Sequence, residues 1–299
     1  MEWLFWIVIV FLVLFIIAYG IISLHFSKNI AQPKVSSLEK EMAWEKEHHL
    51  WGNFDDYDKT AYTVNGYQDY PLHVVLVKAA MPSDKYVIIS HGYTANRYGA
   101  VKYLDAYRSQ GFNVIIYDVR GHGDNEKTPV SLGYFEAKDL LALIEDTYQR
   151  YGDNICLGLH GESMGSSISL NVLAYRPKIQ FVVADCGFTN LYELIASLYR
   201  QYKVGPLIYG VSFMMKLTQG FDMKATSAVD ALRENEVPIM FIHGKNDTFI
   251  LPEHSEHLAA ANHGKSVVHL IDRATHAGSR QTIGIKAYTK LIEDFLQTI

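Results

Sequence analysis

The 299-residue chain has only two cysteines, Cys156 and Cys186. That excludes a disulfide framework. Cys156 opens one expected strand and Cys186 closes the next. They should then lie near opposite ends of a sheet, beyond the Cα separation of about 7 Å that a bridge tolerates. Two free, mostly buried thiols are expected. The chain also lacks basic blocks and any alternation of basic with aromatic residues, and its formal net charge is −5. Nucleic acid is therefore not an expected partner. There is no internal repeat and no low-complexity tract. With 49% hydrophobic and 20% charged residues, the chain can bury a sizeable core and is not expected to be disordered.

Charge is missing altogether from Trp3 to Leu24, "WLFWIVIVFLVLFIIAYGIISL". As a helix this run reaches about 33 Å, enough for a hydrocarbon core of about 30 Å. Trp3, Trp6 and Tyr19 fall near its ends, where amphipathic rings favour the interface. Its apolar character on every side argues against a core helix. A cleaved signal peptide is the alternative, with "AYG" as a cleavage site. Such a peptide wants a basic start and an apolar stretch of only about 7–15 residues, whereas here Glu2 precedes a longer run. The expected location is the cell membrane, by a single-pass anchor at residues 3–24. Lys28 and Lys34 follow the span and no Lys or Arg precedes it, which favours a cytoplasmic C-terminal domain.

Residues 25–58 read as a stalk and lead-in. In "SSLEKEMAWEKEHHL", Leu38, Met42 and Glu45 fall on one side of a helix. His48 and His49 are adjacent, so they point to different faces and read as solvated rather than metal-binding.

From residue 59 to 299 the pattern repeats strand, turn and helix. "TAYTV" and "LHVVLVKA" alternate as an opening hairpin, Thr60–Val64 and Leu72–Lys78. "YVIIS", "NVIIY", "ICLGLHG", "FVVADC", "PIMFIHG" and "SVVHLID" are continuous apolar runs separated by helical periods, the first of them at Tyr98–Ser109. Strands that are apolar throughout belong to a sheet covered on both faces. Helices between them give a doubly wound, mostly parallel α/β sheet, whose sites form at the carboxyl ends of its strands. Residues 187–236 break the rhythm and carry no strand pattern. The stretch is rich in Tyr, Phe, Met, Leu and Ile and too long for a plain connection. It is expected to be a helical cap; one ordinary long helix with extra core is the alternative.

"GESMG", Gly161–Gly165, matches G-x-S-x-G. A chance match in a chain of this length is on the order of 0.1, but this one follows a buried strand and opens a helix, the setting of a nucleophile elbow. The glycines remove side chains that would clash at a sharp turn, and the helix start offers free N–H groups. A serine hydroxyl needs a base oriented by a carboxylate. In chain order, Asp247 in "FIHGKNDTFI" and His276 in "LIDRATHAGS" each follow an apolar strand. Asp185, at the end of "FVVAD", is the second candidate acid. His243 and His269 fall inside strand patterns and suit core roles; His263 lies in a turn. For the oxyanion, the expected backbone N–H donors are those of Met164, after the nucleophile, and Tyr93, in "SHGYTANR". His91 reads as a hydrogen-bonded structural histidine. His122 and Asp124 in "DVRGHGDN" read as a packed turn, since no further ligands stand at metal spacing. Glu162 reads as a packing or hydrogen-bonding neighbour. No metal and no cofactor are expected.

At these residues the sequence resembles the α/β-hydrolase superfamily. "SHGYTANR", "DVRGHGDN", "GLHGESMG", "VPIMFIHGKNDTFI" and "ATHAG" occur in that family's order. The overall look is of membrane-anchored bacterial hydrolases of the Bem46-like and serine-aminopeptidase-like branches. The resemblance spans residues 60–299 and implies an α/β-hydrolase fold with Ser163, Asp247 and His276 as nucleophile, acid and base. The expected activity is cleavage of acyl esters through an acyl-enzyme. The expected partners are a small-molecule ester with an apolar acyl or aryl group, and a membrane. A thioesterase, an acyltransferase or a serine peptidase could use the same triad. A non-catalytic membrane-bound binding module is the alternative from another class.

Overall fold

A computed structural model describes residues 2–299. It contains an eight-stranded sheet: β1 (Lys59–Asn65), β2 (Pro71–Val77), β3 (Lys85–Ser90), β4 (Asn113–Tyr117), β5 (Cys156–Glu162), β6 (Phe181–Asp185), β7 (Ile239–Gly244) and β8 (Ser266–Ile271). The helices are α1 (Glu2–Ala31), α2 (Leu38–Glu47), α3 (Leu104–Arg108), α4 (Tyr134–Tyr151), α5 (Met164–Asn171), α6 (Leu191–Gln201), α7 (Leu207–Gln219), α8 (Ala228–Leu232), α9 (Glu253–Ala261) and α10 (Ser279–Leu296). Strand order is β1-β2-β4-β3-β5-β6-β7-β8. The β1–β2 and β2–β4 pairs are antiparallel; all later pairs are parallel.

The continuous apolar runs explain the layering. Every residue of β4, β6 and β7 is buried. Alternate side chains go to opposite faces. Val87, Ile89, Val114 and Ile116 pack with α3 and the apolar side of α10. Ile88, Ile115, Leu159 and Val182 pack with α4, α5, α8 and α9. β8 is an edge strand and only half buried, so His269 lies part-exposed at the rim and not in the core. The expected helix at Tyr98–Ser109 is tighter at its start: Arg97–Tyr103 is a 3-10 helix, and only Leu104–Arg108 is α-helical.

Between β6 and β7 lie α6, α7, a short 3-10 turn and α8. Leu191, Leu194, Ile195 and Tyr199 turn one face of α6 inward. Cys156 begins β5 and Cys186 follows β6; both thiols are free, and Cys186 is fully buried.

Residues 25–58 pack on the domain at several points. The apolar helix continues to Ala31, whose carbonyl accepts from Val130 N at 2.7 Å. The Ser36 amide donates to Thr94 O at 2.8 Å. Leu50, Trp51 and Phe54 are buried. These apolar residues lie beyond the charged stretch of α2, and burying them draws the whole segment onto the domain.

Candidate active site

β5 delivers Ser163 to the carboxyl edge of the sheet, and α5 begins at the next residue. Ser163 has φ 55° and ψ −115°, a conformation that costs a non-glycine residue about 1–3 kcal/mol. Two close approaches enforce the turn. A Cβ on Gly161 would lie 2.1 Å from Gly165 O, and one on Gly165 would lie 2.0 Å from Ser90 O. No side chain fits at either position.

Ser163 Oγ is 2.9 Å from His276 Nε2. His276 Nδ1 is 2.7 Å from Asp247 Oδ2. A carboxylate accepts, so Nδ1 carries the proton of the neutral ring, and Nε2 is free to take the serine's. The acid is closely held. Asp247 is 2% exposed, and its Oδ1 accepts from the amides of Phe249 and Ile250 at 2.9 Å each. His243 Nε2 stands 3.2 Å from Oδ2. Burial pushes this carboxyl up, but the bonds from His243 and His276, the His276 charge and the Ile250 amide outweigh it and hold it below the usual carboxylate range. His243 is itself fixed: its Nε2 donates to Ile250 O at 2.8 Å, and its Nδ1 meets Ser255 Oγ at 2.7 Å. Position inside a strand marked His243 as a core residue; only the tertiary fold shows that it also touches the acid.

Asp185 meets a different partner. Its Oδ2 accepts from Tyr288 Oη at 2.9 Å, while Oδ1 has no partner. Burial and the neighbouring Glu162 push it up to about 7. His276 is bonded to Asp247 and not to Asp185.

The loop after β3 lies beside the serine: a Cβ on Gly92 would stand 3.7 Å from Ser163 Cβ. Among the described residues, the amides of Tyr93 and Met164 donate to no protein acceptor. The Tyr93 phenol turns away, toward α1, and donates to Ile30 O at 2.8 Å. Two buried histidines clamp this loop. His91 Nδ1 donates to Gly92 O at 2.8 Å, and its Nε2 accepts from Val119 N at 3.0 Å. His122 Nε2 accepts from Thr94 N at 3.3 Å, and burial lowers this histidine to about 4. Asp118 pairs with Arg97, which reaches Asp124 at 2.7 Å.

Glu162 is bonded to neither Ser163 nor His276. It accepts from Tyr103 Oη and pairs with Lys102 at 2.6 Å. Glu45 from α2 stands close to this pair, 1% exposed, with one oxygen unpartnered, and burial raises it to about 8. A cleft of about 830 Å³ runs from His276 past Thr275 and Gly278 to Lys102, Glu162 and Glu45. Cys186, Asp247 and His276 present donor atoms within 4.8 Å of one another. Nδ1 and Oδ2 are already bonded to each other, so a metal there would have to break the serine–histidine–aspartate chain. His48 stacks on Trp44 with centroids 4.1 Å apart and lies exposed.

A strained serine at a strand–helix turn, with histidine and aspartate in line at the same edge, is the arrangement that serine hydrolases use. The eight-stranded, mostly parallel sheet and its helices make the α/β-hydrolase fold. Residues 81–198 match the family described as serine aminopeptidase, S33. The uncharacterised protein YqkD of Bacillus subtilis is 28% identical over 96% of this chain and 95% of its own length. The lysophosphatidylserine lipase ABHD12 of Danio rerio is 26% identical over 58% of this chain, which spans 46% of that protein. Among solved structures, the Pyrococcus furiosus esterase Pf2001 superposes with a TM-score of 0.65 at 20% identity, over 85% of this chain and 93% of that one. The Pyrococcus horikoshii acylaminoacyl peptidase gives 0.61 at 14% identity, over 80% of this chain and 41% of that one.

Proposed function

We propose that the protein is a membrane-anchored carboxylic ester hydrolase working through Ser163, His276 and Asp247. The observation that carries this is the bonded chain from Ser163 Oγ to His276 Nε2 and from Nδ1 to Asp247 Oδ2, at 2.9 and 2.7 Å. Ser163 Oγ attacks the ester carbonyl while His276 takes its proton. Asp247 keeps the ring in its tautomer and stabilises the imidazolium that forms. The carbonyl oxygen becomes an oxyanion, for which the free N–H groups of Tyr93 and Met164 are the donors. Collapse expels the alcohol, protonated by His276, and leaves an acyl-enzyme. Water, deprotonated by His276, then releases the acid.

In this reading residues 3–24 anchor the chain in the cell membrane, residues 25–58 lead into the domain at 59–299, and residues 187–236 cap the site. The cap's Tyr, Phe and Met content suits an apolar acyl or aryl group. An esterase and a lipid hydrolase among the similar proteins point the same way. By the lysines that follow α1, the domain faces the cytoplasm.

The test is a substrate series on purified full-length protein: acyl esters of rising chain length, matched thioesters and amides, each with wild type and Ser163→Ala. Ester cleavage that rises with acyl length and vanishes in the variant is expected. Faster cleavage of amides or thioesters, or a preference for acetyl, would overturn the ester or the apolar-pocket reading respectively. Protease shaving of intact cells should leave the domain uncut.

A further inference from the structure

The apolar helix α1 has two unlike parts. From Glu2 to Ala18 it stands clear of the domain, with Phe11 68% and Phe15 67% exposed. From Tyr19 to Ala31 it is docked, and Ser23, Ser27 and Ala31 are buried. The free part is about 25 Å long at the α-helical rise, short of a hydrocarbon core of about 30 Å. The uncharged run extends to Leu24. A crossing that uses the whole uncharged run from Trp3 to Leu24 therefore carries residues 19–24 into the membrane with it.

What packs on those residues is α7. Tyr19 Oη donates to Pro206 O at 2.8 Å and accepts from Gly210 N at 3.0 Å. A Cβ on Gly210 would come within 2.1 Å of Ser23 Oγ, and one on Gly20 within 3.8 Å of Met214 Cε. The Gly210 backbone thus packs directly on the Tyr19 and Ser23 side chains, and α7 from Pro206 to Met214 lies level with Tyr19–Ser23. On its other side α7 exposes Tyr209 (70%), Phe213 (62%) and Leu217 (67%). Their four-residue spacing makes one continuous apolar row. Ile208, Val211 and Met215 are buried on the inner side. A helix apolar on both sides does not suit water. In sequence, Arg200 and Lys203 precede α7, and Lys216, paired with Asp222, and Lys224 lie at or after its end; cations so placed suit lipid headgroups.

We propose that α7 lies in the interfacial zone of the same bilayer that α1 crosses, with Tyr209, Phe213 and Leu217 against lipid. This rests on the reading of α1 as a membrane span. The partner is the lipid surface itself. Because the end of α1 also holds the Tyr93 phenol, the loop beside Ser163 is fixed close to that surface. Substrates dissolved in the leaflet then reach the site without passing through bulk water.

The experiment places an environment-sensitive nitrobenzoxadiazole label on full-length protein in phosphatidylcholine–phosphatidylglycerol vesicles. The background is Cys156→Ala, Cys186 being fully buried. Three variants with one accessible cysteine each are compared: Phe11→Cys on α1, Phe213→Cys on α7 and Lys286→Cys on α10. Doxyl-labelled lipid should quench the labels at 11 and 213, with the α7 label losing about half its intensity at interfacial depth. The label at 286 should respond only to aqueous iodide. Lipid quenching at 11 with iodide quenching at 213 would overturn the proposal and leave the anchor standing. Iodide quenching at both would overturn the anchor and the proposal together.

Discussion

Asp247 and Asp185 both sit at the carboxyl edge of the sheet, one in the loop after β7 and one at the end of β6, and both are almost wholly buried. Their surroundings set them apart. Two amides and two imidazoles face Asp247, and it stays ionised. A single phenol faces Asp185, with Glu162 adding repulsion, and it rises to about 7. Burial acts on both carboxyls in the same direction; the number of donors decides which one can hold an imidazolium.

The comparison breaks most sharply at the catalytic step. Asp247→Asn should lower kcat about 10⁴-fold by favouring the wrong histidine tautomer, whereas Asp185→Asn should stay within a few-fold. Equal losses in steady-state ester hydrolysis would erase the distinction. His243→Gln comes next. It removes one neighbour of the Asp247 carboxylate, so kcat should fall about ten-fold, the scale of a lost charge-assisted hydrogen bond. A purely structural role for His243 would lower thermal stability and leave the pH–rate profile unmoved.

Stability against pH separates the two acids in opposite senses. Asp247 has a depressed folded pKa, so its contribution is present above about pH 4, the unfolded value, and is lost as pH falls through the folded one. Asp185 has a raised one. Protonated in both states below about pH 4, it costs nothing there; stability falls as pH rises from about 4 to about 7. At pH 8, Asp185→Asn should therefore stabilise, by up to about 4 kcal/mol for a carboxyl raised from about 4 to about 7, and Asp247→Asn should destabilise. Glu45→Gln should follow Asp185 in sign, with a higher Tm at pH 9 and none of that gain at pH 4, because burial raises Glu45 to about 8. Denaturant titrations across pH 3–9 would show both signs.

Much of this edge could be read from the chain. The β5–Ser163–α5 turn is local, so periodicity and glycine spacing expose it. Asp247 and His276 follow because each lies just past an apolar strand. Contacts made across the fold were not legible. His243 reads as one more strand residue until Asp247 returns beside it, four positions on. Glu45 falls on the side of its helix that carries Leu38 and Met42, but nothing local shows that it is buried against Lys102 and Glu162. The docking of α1 on α7 is hidden because a helix apolar on all sides carries no face. The one local trace is a row of small residues, Gly20, Ser23, Ser27 and Ala31, which lets another backbone approach.

The central claim is that Ser163 is the nucleophile of this edge. A fluorophosphonate phosphorylates only a serine whose hydroxyl an adjacent base has activated. Labelling of full-length protein, followed by mass spectrometry of its peptides, should place one adduct on Ser163, absent from Ser163→Ala and strongly slowed in Asp247→Asn. An unlabelled wild type, or an adduct that persists in Ser163→Ala, would contradict it.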